Sequence, residues 1–239
     1  MQGWEARGAW VSDAIKNDGF RRQLGALLSK VYRHARLTNK SREWKDLRSR
    51  LTRDVKAEDC SYRHQVAALF EAAVLGVSVC HWGAEAELWP AVPGSRRGCD
   101  LRIGAGNATL YGEAKGLWSE EDRRPPQGGS GRAFVNNRIA ELVSTVREAA
   151  GQLPSGVASV CFVLSRRLVY PGMYPDGEGN RQEVYGRVAE RLRAASVQVD
   201  LLAVFHEWNL PDFTCVHGNA SLEGELHTAF RQHWPARVT

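Results

Sequence analysis

The chain of 239 residues is 43% hydrophobic and 25% charged, which is typical of one globular fold and unlike disordered or fibrous chains. Its five cysteines include no CxxC pair. This spacing argues against a zinc finger or a disulfide framework and favours a reducing, cytoplasmic location. The longest apolar run, 66–80, contains Glu71, and we expect it to be too short to span a membrane. We expect no secretory signal.

The net charge of +5 is concentrated near the N-terminus. Residues 1–60 hold 14 Lys and Arg against 8 Asp and Glu, whereas residues 61–239 hold 18 against 19. This asymmetry predicts a polyanionic partner such as nucleic acid, although a solvated helical face rich in arginine explains it equally well.

Apolar residues at steps of three and four predict helices over 19–37 and 41–55. Residues 61–80 predict a third helix, which is apolar on nearly every side and therefore buried. Further along, we predict strands over 87–92, 99–104, 108–115, 157–164, 197–205 and 213–217, and helices over 135–153, 182–195 and 222–234.

This order of elements predicts an α/β fold with a mixed central sheet flanked by helices. The late strand–helix–strand steps imply parallel pairing, while an early hairpin adds antiparallel pairing. We divide the chain into a basic helical extension, 1–60, and an α/β domain, 61–239.

The early hairpin places three charged residues together. Gly106-Asn107 is typical of a two-residue turn, so the numbers of paired residues sum to 213. Asp100 then lies opposite Glu113, with Cβ atoms about 4.5–5.5 Å apart. Lys115 projects from the same face of the sheet, because side chains two residues apart in a strand share a face.

Two carboxylates this close repel unless one is protonated or a cation lies between them. Mg²⁺ prefers oxygen ligands and commonly uses one or two carboxylates with water and substrate phosphate. Lys115 could hold a phosphate oxygen or help orient and deprotonate a water molecule. The set suits metal-assisted phosphodiester hydrolysis, although spacing alone leaves open a surface hairpin with an ordinary network of charges.

Glu71 is the one charged residue between Val66 and Cys80. Burying an unpaired carboxylate costs several kcal/mol, so we expect it to have a cation, a hydrogen-bond partner or an exit to solvent. Glu71 is therefore either a third acid at the site or a residue on a helix edge that reaches water.

Asp100, followed after a hairpin by Glu113-Ala114-Lys115, resembles the motif of the PD-(D/E)xK nuclease superfamily. The order of helix, three strands, helix and strand over 62–164 also resembles that family's restriction-endonuclease-like core. Cys99 stands where the family has its Pro.

The resemblance implies roles for five residues. Asp100 and Glu113 would bind Mg²⁺, with Mn²⁺ as a possible substitute, and Lys115 would assist the attacking water. The family also implies a metal contact from the Ala114 carbonyl and a further acid, Glu71, from the preceding helix.

We therefore expect a metal-dependent nuclease that cuts DNA and leaves 5′-phosphate ends. A homodimer would suit the cutting of both strands. Arg96 and Arg97 are candidates for phosphate contacts, although a solvated turn explains them as well. Gln152 lies where some relatives carry a functional Gln, but its position favours an ordinary polar residue at a helix end. The alternatives are an inactive DNA- or protein-binding subunit with this fold and a hydrolase of smaller phosphate esters.

Overall fold

The computed structural model describes residues 18–52, 61–92, 98–105, 108–117, 131–165, 177–206, 210–218 and 220–235. The helices are α1 (Asp18–Leu37), α2 (Ser41–Thr52), α3 (Ser61–Trp82), α4 (Gly131–Ala150), α5 (Gly177–Ala194) and α6 (Ala220–His233). The strands are β1 (Ala86–Leu88), β2 (Leu101–Ala105), β3 (Ala108–Leu117), β4 (Ala158–Ser165), β5 (Leu201–His206) and β6 (Asp212–Cys215).

The strands form one mixed sheet in the order β1-β2-β3-β4-β5-β6. Strands β3, β4 and β5 are parallel, and the pairs β1–β2, β2–β3 and β5–β6 are antiparallel. The α/β class with a mixed sheet flanked by helices is confirmed. The specific restriction-endonuclease-like fold stays a prediction.

The β2–β3 register agrees with the sequence prediction. Leu101 pairs with Gly112 and Ile103 with Leu110, so the paired numbers sum to 213, as a two-residue turn requires. The turn itself, 106–107, lies outside the described residues. Leu101, Ile103 and Leu110 are buried on the α3 side of the sheet, so the hairpin has one apolar face.

The helices cover the sheet on both faces. One cluster of buried side chains joins α1, α2, α3 and α6 to one face of the sheet, and a second joins α4 and α5 to the other. On the second face, Glu113 pairs with Cys161 and Lys115 with Val163, and both partners belong to the second cluster. The register thus places the Glu113 and Lys115 side chains on the α4–α5 side.

Helix α3 is the central helix of the first layer, as its sequence predicts. The stretch His64–Glu85 is long and apolar enough to cross a membrane, so the expectation that this run is too short was wrong about its length. The helix is apolar because it lies in the core: 67% of its most apolar 18-residue stretch is buried inside the fold. Such burial is typical of the core helix of a soluble protein.

The N-terminal helices pack on α3. A side-chain stripe on α1, with members three and four residues apart, buries Phe20, Leu24, Leu27 and Val31. Helix α2 adds Leu47 and Leu51 to the same cluster. The described part of the segment 1–60 therefore shares a core with the sheet, while the division of the chain at residue 60 stays a prediction.

Candidate metal and nucleic-acid site

The start of β2 and the middle of β3 interlock two acidic residues through the backbone. The Asp100 N–H donates to Glu113 Oε2 at 3.2 Å, and the Ala114 N–H donates to Asp100 Oδ2 at 2.8 Å. Each carboxylate thus accepts a hydrogen bond from the main chain of the other strand, which restricts the orientation of both side chains.

Lys115 joins this pair from the same strand. Its Nζ donates to Glu113 Oε1 at 2.6 Å, and its side chain is 24% exposed against 3% for Glu113. Gln152, just after α4, completes the group. With its amide oriented to satisfy both partners, it donates to Glu113 Oε1 at 2.9 Å and accepts from Lys115 Nζ at 3.0 Å. The amine therefore lies at the rim of the site and Glu113 at its base.

Glu71 on α3 faces the same acids and has a cation of its own. Arg50 Nη1 donates to Glu71 Oε2 at 2.7 Å and Arg50 Nη2 to Oε1 at 3.0 Å, which is a bidentate pair. The Trp89 indole N–H also donates to Oε1 at 3.2 Å. Of the outcomes expected for Glu71, the structure shows the cation and the hydrogen-bond partner. Its role as a metal ligand stays a prediction.

Trp89 connects Glu71 to Asp100. Its backbone N–H donates to the Asp100 carbonyl at 2.8 Å, and its own carbonyl accepts from Lys40 Nζ at 2.8 Å. Its φ is 48°, a left-handed conformation that costs a bulky residue on the order of 1–3 kcal/mol. The surrounding hydrogen bonds hold the indole against Glu71 despite this strain.

The electrostatics of the site are set by burial and by the mutual repulsion of three acids, Asp100, Glu113 and Glu71. Burial raises the pKa of Asp100 well above its usual range, and the charges of Glu71 and Glu113 raise it further. Burial also raises the pKa of Glu113, because it outweighs the attraction of Lys115. Arg50 neutralises Glu71 and Lys115 neutralises Glu113. Among the described side chains, none forms an ion pair with Asp100, and the Ala114 N–H and the charge of Lys115 offset only part of the cost of ionising it.

The other titratable groups near the acids are held in single protonation states. Burial alone would lower the pKa of Lys115, but the charges of Glu113 and Asp100 outweigh it and the pKa is raised. Burial, followed by the charge of Glu113, raises the pKa of the Cys99 thiol to about 12. The same two causes raise the pKa of Cys161. Lys115 is therefore an ammonium at neutral pH, and the two cysteines are neutral thiols.

The donor set fits a hard divalent cation. Asp100 and Glu113 offer carboxylate oxygens next to each other, and Mg²⁺ is commonly held by one or two carboxylates with water and substrate oxygens. Within the described ranges, no group of three or more His, Cys, Asp and Glu is placed to hold a metal ion. Both Glu71 oxygens are engaged by Arg50, and both Glu113 oxygens accept hydrogen bonds from Asp100 N–H, Lys115 and Gln152.

The structure thus brings Asp100, Glu113, Ala114 and Lys115 together, with Glu71 beside them. Arg96 and Arg97 lie outside the described residues. Sequence reasoning missed Arg50 and Trp89, and it took Gln152 for an ordinary helix-end residue. A buried acid such as Glu71 does demand a cation, but the sequence alone does not indicate which of the arginines supplies it.

Comparison of the chain with protein-family models, curated protein sequences and solved structures found no match. The resemblance to PD-(D/E)xK nucleases is therefore carried forward as a proposal.

Proposed function

We propose that this protein is a metal-dependent nuclease of the PD-(D/E)xK type that hydrolyses phosphodiester bonds in DNA. The observation that carries the proposal is the part-buried Asp100 side chain, which forms no ion pair with a described residue and is hydrogen-bonded to the strand that carries Glu113 and Lys115. Repulsion among these acids costs free energy that a divalent cation would recover.

Asp100 and Glu113 would hold the Mg²⁺ or Mn²⁺ ion, with the Ala114 carbonyl as a further ligand by family resemblance. When bound, such an ion polarises the phosphoryl group and lowers the pKa of an attacking water molecule. The backbone N–H groups of Asp100 and Ala114 hold the two carboxylates next to each other.

Lys115 acts as a donor. Because its pKa is raised, its ammonium group carries a full charge at neutral pH and can hold a phosphate oxygen or orient the attacking water. Gln152 lies against both Lys115 and Glu113 and keeps the amine directed at the site when the substrate competes for it.

Basic residues are concentrated in the segment 1–60, which includes α1 and α2, and this favours a polyanionic substrate; DNA is proposed by family resemblance. Lys and Arg contacts to phosphates are independent of sequence and sensitive to salt. We propose a cytoplasmic location from the cysteine usage, and a homodimer would allow both strands to be cut.

The first prediction concerns Lys115→Ala. The variant should lose at least about a hundredfold in cleavage rate, because it removes the donor that positions the reacting groups. Supercoiled plasmid, a labelled single strand and an RNA would each be incubated with Mg²⁺ or Mn²⁺, and the reactions repeated with EDTA. Arg231→Ala, which removes one exposed cation from α6, is the matched control and should cleave normally.

Two outcomes would contradict the proposal. If the wild-type chain cuts none of these substrates with either metal, it is not a nuclease, and binding without cleavage would favour the inactive-subunit alternative. If Lys115→Ala cleaves as fast as the wild type, the role given to the amine is wrong even though the activity is real.

A further inference from the structure

Arg50 is placed between the basic N-terminal helices and the acidic site. It lies near the end of α2, and its side chain remains 44% exposed while it grips Glu71, which is only 7% exposed. Burial alone would lower the pKa of Arg50, but the hydrogen bond and charge of Glu71 and, to a smaller extent, the charge of Asp100 raise it. The guanidinium therefore feels the charge of both acids, from the solvent side of the cluster.

The pairing with Glu71 leaves most of the guanidinium unused. Arginine has five N–H donors in a fixed fork, and two of them bind Glu71. No other described residue accepts a hydrogen bond from Arg50. Three donors on a half-exposed group, Nε–H and one N–H on each of Nη1 and Nη2, are thus not used by any described residue.

A guanidinium held by a buried carboxylate is preorganised for a second anion. Its orientation is already restricted, so less side-chain entropy is lost when a phosphate binds. Glu71 is in turn oriented by the Trp89 indole, which extends the support into the strained segment beside Asp100. A half-exposed guanidinium that is held in place in this way is better suited to contact a ligand than to form only an ion pair at the surface.

We infer that Arg50 binds a backbone phosphate of the nucleic acid next to the bond that is cut, with Glu71 as its anchor. This inference rests on the proposed function and adds a substrate contact from helix α2. The other exposed cations of α2, Arg42, Lys45 and Arg48, lie on other faces of the helix than Arg50, which has Asp46 one turn before it.

The test uses a double variant whose charge is unchanged. Arg50→Ala alone leaves Glu71 buried without its cation and could fail to fold, so Arg50→Ala is combined with Glu71→Gln. The pair is neutral before and after the change. General electrostatic attraction therefore predicts no loss of DNA affinity, whereas a direct contact predicts a loss.

Binding of a fluorescein-labelled duplex to the full chain would be followed by anisotropy in EDTA, where no cleavage occurs, over a series of salt concentrations. The double variant should bind about tenfold more weakly at low salt, and the slope of log Kd against log salt should fall by roughly 0.9, the value for one phosphate. Arg50→Lys keeps the charge without the fork, and it should also bind more weakly than the wild type. Arg231→Ala should lose less than either.

The outcomes separate this inference from the proposed function. If the double variant is folded by circular dichroism and binds like the wild type, Arg50 makes no phosphate contact, while cleavage by the wild type would still stand. Full affinity in Arg50→Lys would overturn the anchored fork. A wild-type chain that neither binds nor cuts nucleic acid would overturn both proposals.

Discussion

Protonation of Asp100 stabilises the folded protein, because burial and the neighbouring acids disfavour its ionised form. Burial and the charges of Glu71 and Glu113 raise its pKa, so in the folded protein its ionised form is disfavoured relative to the unfolded chain. The stability that this proton contributes is fully present below the ordinary carboxyl pKa of about 4. It is lost as the pH rises through the raised pKa. In the metal-free protein, ionisation of Asp100 therefore lowers the free energy of unfolding at neutral pH.

Asp100→Asn should accordingly stabilise the metal-free protein at pH 7.5. An asparagine oxygen can still accept the Ala114 N–H bond, while the repulsion from Glu71 and Glu113 disappears. We expect a gain of about 1 kcal/mol, or roughly 2–4 °C in Tm for a chain of this size, and a smaller gain at pH 5. Thermal unfolding followed by circular dichroism in EDTA measures this.

The matched control is Glu225→Gln, which neutralises an exposed acid on α6 and should leave Tm unchanged. A lower Tm for Asp100→Asn than for the wild type at pH 7.5 would show that the ionised carboxylate stabilises the fold. In that case its burial would give no reason to expect a cation.

At the scale of elements, α1 and α3 approach each other at a glycine. A Cβ atom on Gly76 would lie 2.6 Å from Leu27 Cβ and 3.1 Å from Leu27 Cα. Such a contact requires the backbone of α1 to move, because a rotamer change of Leu27 leaves both atoms in place. The closeness of these helices depends on the missing side chain.

Gly76→Ala should therefore destabilise the protein by about 1–2 kcal/mol. Overpacking costs about 1–3 kcal/mol, and the better helix propensity of alanine returns up to about 1 kcal/mol. Gly25→Ala is the matched control, since nothing lies within 4 Å of its added Cβ, and it should be neutral or stabilising. Urea unfolding of both variants gives the comparison, and an equal stabilisation of both would show that α1 adapts freely.

The elements themselves were largely predictable from local patterns. Period-2 and period-3.6 patterns place the strands and helices within a few residues of their observed bounds. The Gly106-Asn107 turn is sufficient to predict the β2–β3 register and hence the meeting of Asp100 with Glu113. The partners of Glu71 were not predictable, because Arg50 and Trp89 reach it through the packing of α2 and the strained turn after β1. The approach of Gln152 likewise depends on where α4 ends against the sheet.

On the scale of the whole molecule, the described N-terminal helices belong to the main core. Six side chains on α1 and α2 are buried with α3 and the sheet: Phe20, Leu24, Leu27, Val31, Leu47 and Leu51. Each contributes about 1.5–3 kcal/mol by burial. The total stability of a domain is about 5–15 kcal/mol, so the fold depends on these contacts.

A chain that begins at Ser61 should therefore be insoluble or lack cooperative unfolding, since the apolar face of α3 would be exposed. Solubility after expression and thermal unfolding by circular dichroism test this. A chain that begins at Asp18 keeps both helices and is the control, which should unfold cooperatively. A soluble, cooperative fragment 61–239 would instead establish an independent domain with its boundary at residue 60.

The residues that support the candidate site, from Arg50 to Gln152, are synthesised at different times, so the site can form only late in synthesis. The arginine leaves the ribosome early, yet the group around Glu113 is complete only after Gln152 has emerged and folded back. A half-made chain thus carries the acidic motif without the support that orders it. Under the proposed function, this order of events would delay cleavage until the chain is complete.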